Sequence, residues 1–212
     1  MDRFADILFV LLGWLLGTLT PGIIEAIKRP KHKAEVLSAV KSELRELRYK
    51  VAIVVHRMRV ATGTLNQQAL DLIRPVILTH EGPEEDHQLA EGFRKLLALG
   101  DAKYIALHNA GESGTSSPYP VPYAAPYLHS HLGEVAIFGQ STQEALLRVD
   151  AELHLFNEQV SYVRACHDRT FQTMSHENFQ ANQGNLDTAH VKLAARAETL
   201  VWALTRAMDC AG

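Results

Sequence analysis

Eleven histidines in 212 residues make metal binding the first chemistry to test. His129 and His131 form an H-x-H pair, but the first carboxylate after them is Glu134, and the pair borders a proline-rich stretch. Glu84-x-x-His87 and Asp187-x-x-His190 have the i, i+3 spacing of di-iron carboxylate bundles, which also need inward-facing Glu residues on two further helices. No Glu occupies a seam position in the apolar patterns below, so a di-iron centre is not expected.

His167 and His190 are more notable, because both fall at positions of an apolar seam. With a hairpin turning near Gln180–Ala181 they would stand about thirteen and ten residues from the turn, at heights differing by about 5–6 Å. Two imidazoles so placed could share a metal or a small ligand. The plainer alternative is a pair of neutral core histidines, each satisfied by a backbone carbonyl, by Thr170 or by buried water. Catalytic signatures are missing: there is no G-x-S-x-G, P-loop or G-x-G-x-x-G. Cys166 precedes His167, but adjacent helical residues diverge by about 100° and make no nucleophile–base pair. The sequence therefore nominates no catalytic residue and no cofactor.

The elements that must position these residues are helices. Leu37, Val40, Leu44, Leu47, Val51, Val54 and Met58 alternate spacings of three and four, and Val36, Tyr49, Ile53 and Val55 widen that stripe. Leu146, Val149, Leu153, Phe156, Val160, Val163, His167, Thr170 and Met174 keep the same alternation, with Ser141 and Glu144 placed as a capping box. A third stripe, Leu186, His190, Leu193, Ala197, Leu200, Leu204 and Ala207, starts after Gly184-Asn185. Between them, Leu65, Ala69, Leu72 and Val76 mark a short helix with Pro75 in its last turn. Residues 80–86 read as a turn, and Leu89, Phe93, Leu96 and Leu97 mark a helix broken near Gly100-Asp101. No stretch alternates with period two, so the expected fold is all-α, a bundle of about four to six helices over residues 34–212.

Residues 111–134 are rich in proline and tyrosine, with Tyr119, Tyr123 and Tyr127 each following a proline. Period four rotates these rings around a polyproline II helix, and proline forbids an α-helix there. The segment is read either as a loop covering the bundle or as a partner-binding segment.

Ahead of the bundle, Ile7 to Ile24 is almost wholly apolar, ILFVLLGWLLGTLTPGII. As a helix it measures about 27 Å, close to the hydrocarbon thickness of a bilayer. Residues 1–27 are read as a single transmembrane anchor; a signal peptide or a buried helix are the competing readings, disfavoured by an acidic start and the lack of an A-x-A site. Lys28, Arg29, Lys31 and Lys33, within a linker over 28–33, would contact the membrane surface. Their position after the span puts the N-terminus outside and the rest in the cytoplasm, and two isolated cysteines suit a reducing compartment. From Lys28 to Arg59 ten Lys or Arg face three Glu, a net of +7; from Val60 onward ten basic residues face eighteen acidic, a net of −8. No aromatic residues are interleaved with the basic run, so nucleic acid is not an expected partner. Gly13 and Gly17 form G-x-x-x-G, a face on which transmembrane helices can pack.

Together these features describe a membrane-anchored helical bundle acting as an adaptor, assembly or signalling subunit. Its expected partners are the bilayer and a protein or a second copy of the chain. The alternative is a metal- or ligand-binding bundle using His167 and His190.

Overall fold

The computed structural model describes the backbone of residues 2–110, 119–172 and 175–210, with side chains from 31 onward except 84–86 and 89. The described residues are all helical in architecture, without a strand: α1 Asp2–Ala61, α2 Gln67–Leu78, α3 Glu84–Leu97, α4 Asp101–Ala110, α5 Pro126–Ser130, a 3₁₀ turn Leu132–Ile137, α6 Gln140–Arg169 and α7 His176–Cys210. The chain divides into two compact units, Met1–Val40 and Lys41–Gly212. In the first, the α1 backbone is helical through residues 28–33, where the sequence suggested a linker, and Lys31 and Lys33 are exposed. Among the described residues no helix is long and apolar enough to cross a membrane. The apolar run 7–24, Gly13, Gly17, Lys28 and Arg29 lie outside the described side chains.

In the second unit the three stripes become the core. Leu44, Leu47, Val51, Val54 and Met58 of α1 are buried, as are Leu146 to Val163 at their seam spacing on α6. On α7 all seven stripe residues are buried, His190 included. Full burial of each large aliphatic side chain is worth about 1.5–3 kcal/mol, so these seams outweigh any single polar contact. The helices α6 and α7 form an antiparallel hairpin. Asn182 Nδ2 donates to the Cys166 carbonyl at 3.3 Å, Gln159 Nε2 donates to the Ala189 carbonyl at 3.2 Å, and Thr142 Oγ1 donates to the Cys210 carbonyl at 2.9 Å. On the other side of α7, Glu198 accepts from Arg59 Nε at 2.7 Å and from Arg59 Nη2 at 2.9 Å, pinning α1.

Two expected boundaries need correction. The hairpin turn lies between Arg169 and His176, not near Gln180–Ala181, because Gly184 is accommodated inside α7. Gly184 faces open space, while Asn182 and Leu186 on either side are buried and hold the helix against α6. The Ser141–Glu144 capping box does not form either. Gly139, with φ −66° and ψ 154°, is the N-cap and makes no side-chain cap bond, so Ser141 already lies within the first turn. The preceding buried Phe138 fixes that entry, and its carbonyl accepts from Gln143 Nε2 at 2.7 Å. The break before Asp101 does occur, at Gly100, whose φ of 93° favours glycine.

α4 docks on α1 through a polar pin in an aromatic cluster. His56 Nε2 and Tyr104 Oη are hydrogen bonded at 2.7 Å, and Phe93 meets both rings edge-on. Tyr104 also stacks on His108, whose Nδ1 lies 3.0 Å from the Tyr104 carbonyl and so carries the proton. Burial, reinforced by His108 and Arg57, pushes the His56 pKa down to about 4, and burial raises Tyr104 to about 12. Unfolded, His56 would titrate near 6.5. Its folded pKa is depressed, so this contribution is complete above pH 6.5 and is lost as pH falls from 6.5 toward 4. Denaturant titrations across that range are expected to show a loss of up to about 3 kcal/mol. His56→Gln should flatten most of the pH slope.

Candidate functional site

The seam histidines stand at different levels of the hairpin. With Cys166 opposite Asn182 and Gln159 opposite Ala189, the register sets His167 beside about residue 181 and His190 beside about residue 158. Their backbones thus differ in height by about 13 Å, while the side chains lean toward one another, each tilting toward the N-terminus of its own helix. The sequence placed them within one turn of each other because it placed the loop too late. His190 is buried, and burial lowers its pKa against the opposing Asp187 carboxylate, with His167 adding a smaller push downward. His167 packs between Tyr119 and Phe171, both with ring centroids 5.1 Å away. Among the described residues no group of three or more His, Cys, Asp or Glu could hold a metal ion. His129, near Asp150, and His131, stacked on Tyr127, do not converge. Cys166 is buried within the hairpin.

The three tyrosines fold back onto the bundle. Tyr119 Oη accepts from Arg164 Nε at 2.9 Å, and the Arg164 guanidinium lies 4.9 Å from the Tyr119 ring centre. Tyr123 stacks parallel to Phe156, while Asn157 clamps its backbone, accepting from the Tyr123 N–H at 2.9 Å and donating to its carbonyl at 2.7 Å. The Glu43 carboxylate accepts from the Tyr127 and Leu128 N–H groups at 2.9 and 2.7 Å. From Tyr119 onward this segment is therefore a cover held by side chain-to-backbone bonds. Residues 111–118 lie outside the described part.

The most site-like feature is one that the sequence did not flag. A groove of about 630 Å³ opens between α1, α2 and α7, within the size range of small-molecule sites. Leu72, Pro75 and Val76 of α2 form one wall and Trp202 of α7 the other; Gln67, Gln68, Asp71, Thr79 and Thr205 supply polar edges. Trp202 is 60% exposed, unusual for so large an apolar side chain on a helix otherwise buried along two faces. Arg48 of α1 reaches the groove between buried Leu47 and Tyr49. Its Nε is buried and has no hydrogen-bond partner among the described residues. Burial opposes its charge, Arg45 repels it, and Asp209 gives the one favourable electrostatic influence. By contrast, Arg74 pairs with Asp101, and Asp101 also accepts from Gln67 Nε2 at 2.9 Å. An arginine left short of partners beside an apolar slot is suited to hold an anion.

Comparison with protein-family models, curated proteins and solved structures finds no match.

If Arg48 serves a ligand and not the fold, replacing it should cost little stability. A buried, incompletely paired guanidinium carries a desolvation penalty that an apolar chain of similar length avoids. Arg48→Met is expected to leave the thermal midpoint unchanged or raise it by a few degrees. A drop equivalent to more than about 2 kcal/mol in chemical denaturation would make Arg48 a structural residue.

Proposed function

We propose that this chain is a membrane-tethered helical bundle that acts by recognition, an adaptor or assembly subunit with no catalytic role of its own. The observation that carries the tether is the apolar run Ile7–Ile24, followed at once by Lys28, Arg29, Lys31 and Lys33. An eighteen-residue run this apolar, with only Thr18 and Thr20 polar, is long enough to span a bilayer, and the cations after it favour a cytoplasmic bundle. The Trp202 groove supports recognition, because a concave, largely apolar slot edged by Arg48 and Asp71 can bind and orient a ligand. Gly13 and Gly17 offer a face for self-association within the bilayer.

The tether is testable on the full chain. Native protein should remain in the membrane pellet after alkaline carbonate extraction, and a cytoplasm-restricted reporter fused after Gly212 should be active. Introducing Leu12→Asp with Leu16→Asp adds about 2.5–3.5 kcal/mol of insertion cost per residue, and the variant should move to the soluble fraction. Native chain extracted by carbonate, or a reporter active only outside, would refute the tether or its orientation respectively.

A further inference from the structure

We propose that the groove between α1, α2 and α7 binds a small amphipathic monocarboxylate, its carboxylate on Arg48 and its apolar body between Trp202 and the Leu72–Val76 wall. This deepens the recognition reading and is independent of the membrane tether. The groove supplies both halves of such a ligand's requirements. Leu72, Pro75 and Trp202 offer apolar surface that water now covers, with the indole 60% exposed and Val76 buried. Arg48 lines the groove from α1 and has no bonded carboxylate among the described residues, so a carboxylate arriving there would meet a guanidinium short of an acidic partner.

The charge pattern selects among anions. Arg48 is the only cation among the residues lining the groove, and Asp71 lines the opposite edge, partly engaged by Gln67 Nε2 at 2.8 Å and by Arg74 at 3.8 Å. One guanidinium beside one carboxylate matches a singly charged head group that a planar fork can hold through two oxygens. A phosphate dianion would bring a second negative charge toward Asp71 and Asp209, while the other nearby cation, Arg45, does not line the groove. An ammonium head would face Arg48. A neutral alcohol would fill the apolar wall but leave the guanidinium as it is, so the charged head should carry most of the preference.

Octanoate, octanol and octylammonium share one apolar body and differ only in the head group, which makes them suitable probes. The chain has two tryptophans, so Trp14→Phe leaves Trp202 as the sole fluorophore in the full-length protein, held in lipid nanodiscs. Octanoate is expected to shift Trp202 emission to the blue with a saturable isotherm. Octanol should bind at least about tenfold more weakly and octylammonium should not saturate. Arg48→Met should remove the difference between octanoate and octanol, while Arg48→Lys should retain part of it. Calorimetric titration of the native chain with octanoate gives the same test without substitutions. Absence of a saturable response to octanoate in both measurements would overturn the site. Equal affinity for octanoate and octanol in the native chain would overturn the role of Arg48. Neither result bears on carbonate extraction, so failure here and failure of the tether are distinguishable.

Discussion

The bundle depends on α7 being covered on two sides at once. Ala189, Ala194, Ala197, Ala203 and Ala207 are all buried, interleaved with Leu193, Leu200, Val201 and Leu204. Alanine pays no side-chain entropy in a helix and lets a neighbouring backbone come close, so α7 can serve as a central post where a leucine-only seam would hold neighbours apart. Helix α6 takes one face of the post along the hairpin. The Arg59–Glu198 pair fixes α1 against it, with side chains only 14% and 22% exposed. A pair this sheltered constrains the level at which the helices meet more than it adds net stability.

Polar side chains then set register on an apolar frame that would tolerate sliding. Asn182 and Gln159 bond to backbone carbonyls of the partner helix, which fixes the hairpin at one height. Glu43 and Asn157 do the same for the proline- and tyrosine-rich cover, each using both polar atoms of its side chain on backbone groups. A segment with so many prolines cannot satisfy its own backbone through helical bonds, so its donors must find side chains. Tyr119 and Tyr123 are set against α6 through Arg164 and Phe156, while Tyr127 stacks on His131 within the cover itself.

The groove follows from the shortness of α2. Twelve residues, capped by Asn66 through its bond from the Ala69 N–H at 2.9 Å, cannot cover the full flank that α1 and α7 leave open. Pro75 occupies the exposed side of its last turn, and Thr79 closes it by donating through both N–H and hydroxyl to the Pro75 carbonyl. Beyond that cover, Trp202 stays in contact with solvent, and Arg48 lines the same groove, its Nε buried and no carboxylate bonded to it among the described residues.

By itself the sequence determined what period can express. Three stripes of three-and-four spacing specify three helices and name most of their buried residues, because side-chain direction along a helix is fixed by its pitch. Leu37, His167 and Thr170 are only half-buried, and Met174 lies outside the described residues. The same rule placed His190 in the core, the break at Gly100 and the absence of strands among the described residues. Where α6 hands over to α7 was not legible, since Gly184-Asn185 looks like a terminator until packing carries the helix through it. That one displacement widened the difference in backbone height between His167 and His190 from about 6 Å to about 13 Å. The chemistry of Arg48, Trp202, His56 and Tyr104 is wholly a tertiary matter. Arg48 sits between two core residues of α1, and no local pattern tells whether its guanidinium finds a carboxylate, water or an unfilled slot. His56 and Tyr104 lie 48 positions apart and became a bonded pair only when α4 closed on α1. Periodicity assigns faces; which faces meet, and at what height, is decided by the packing of the whole bundle.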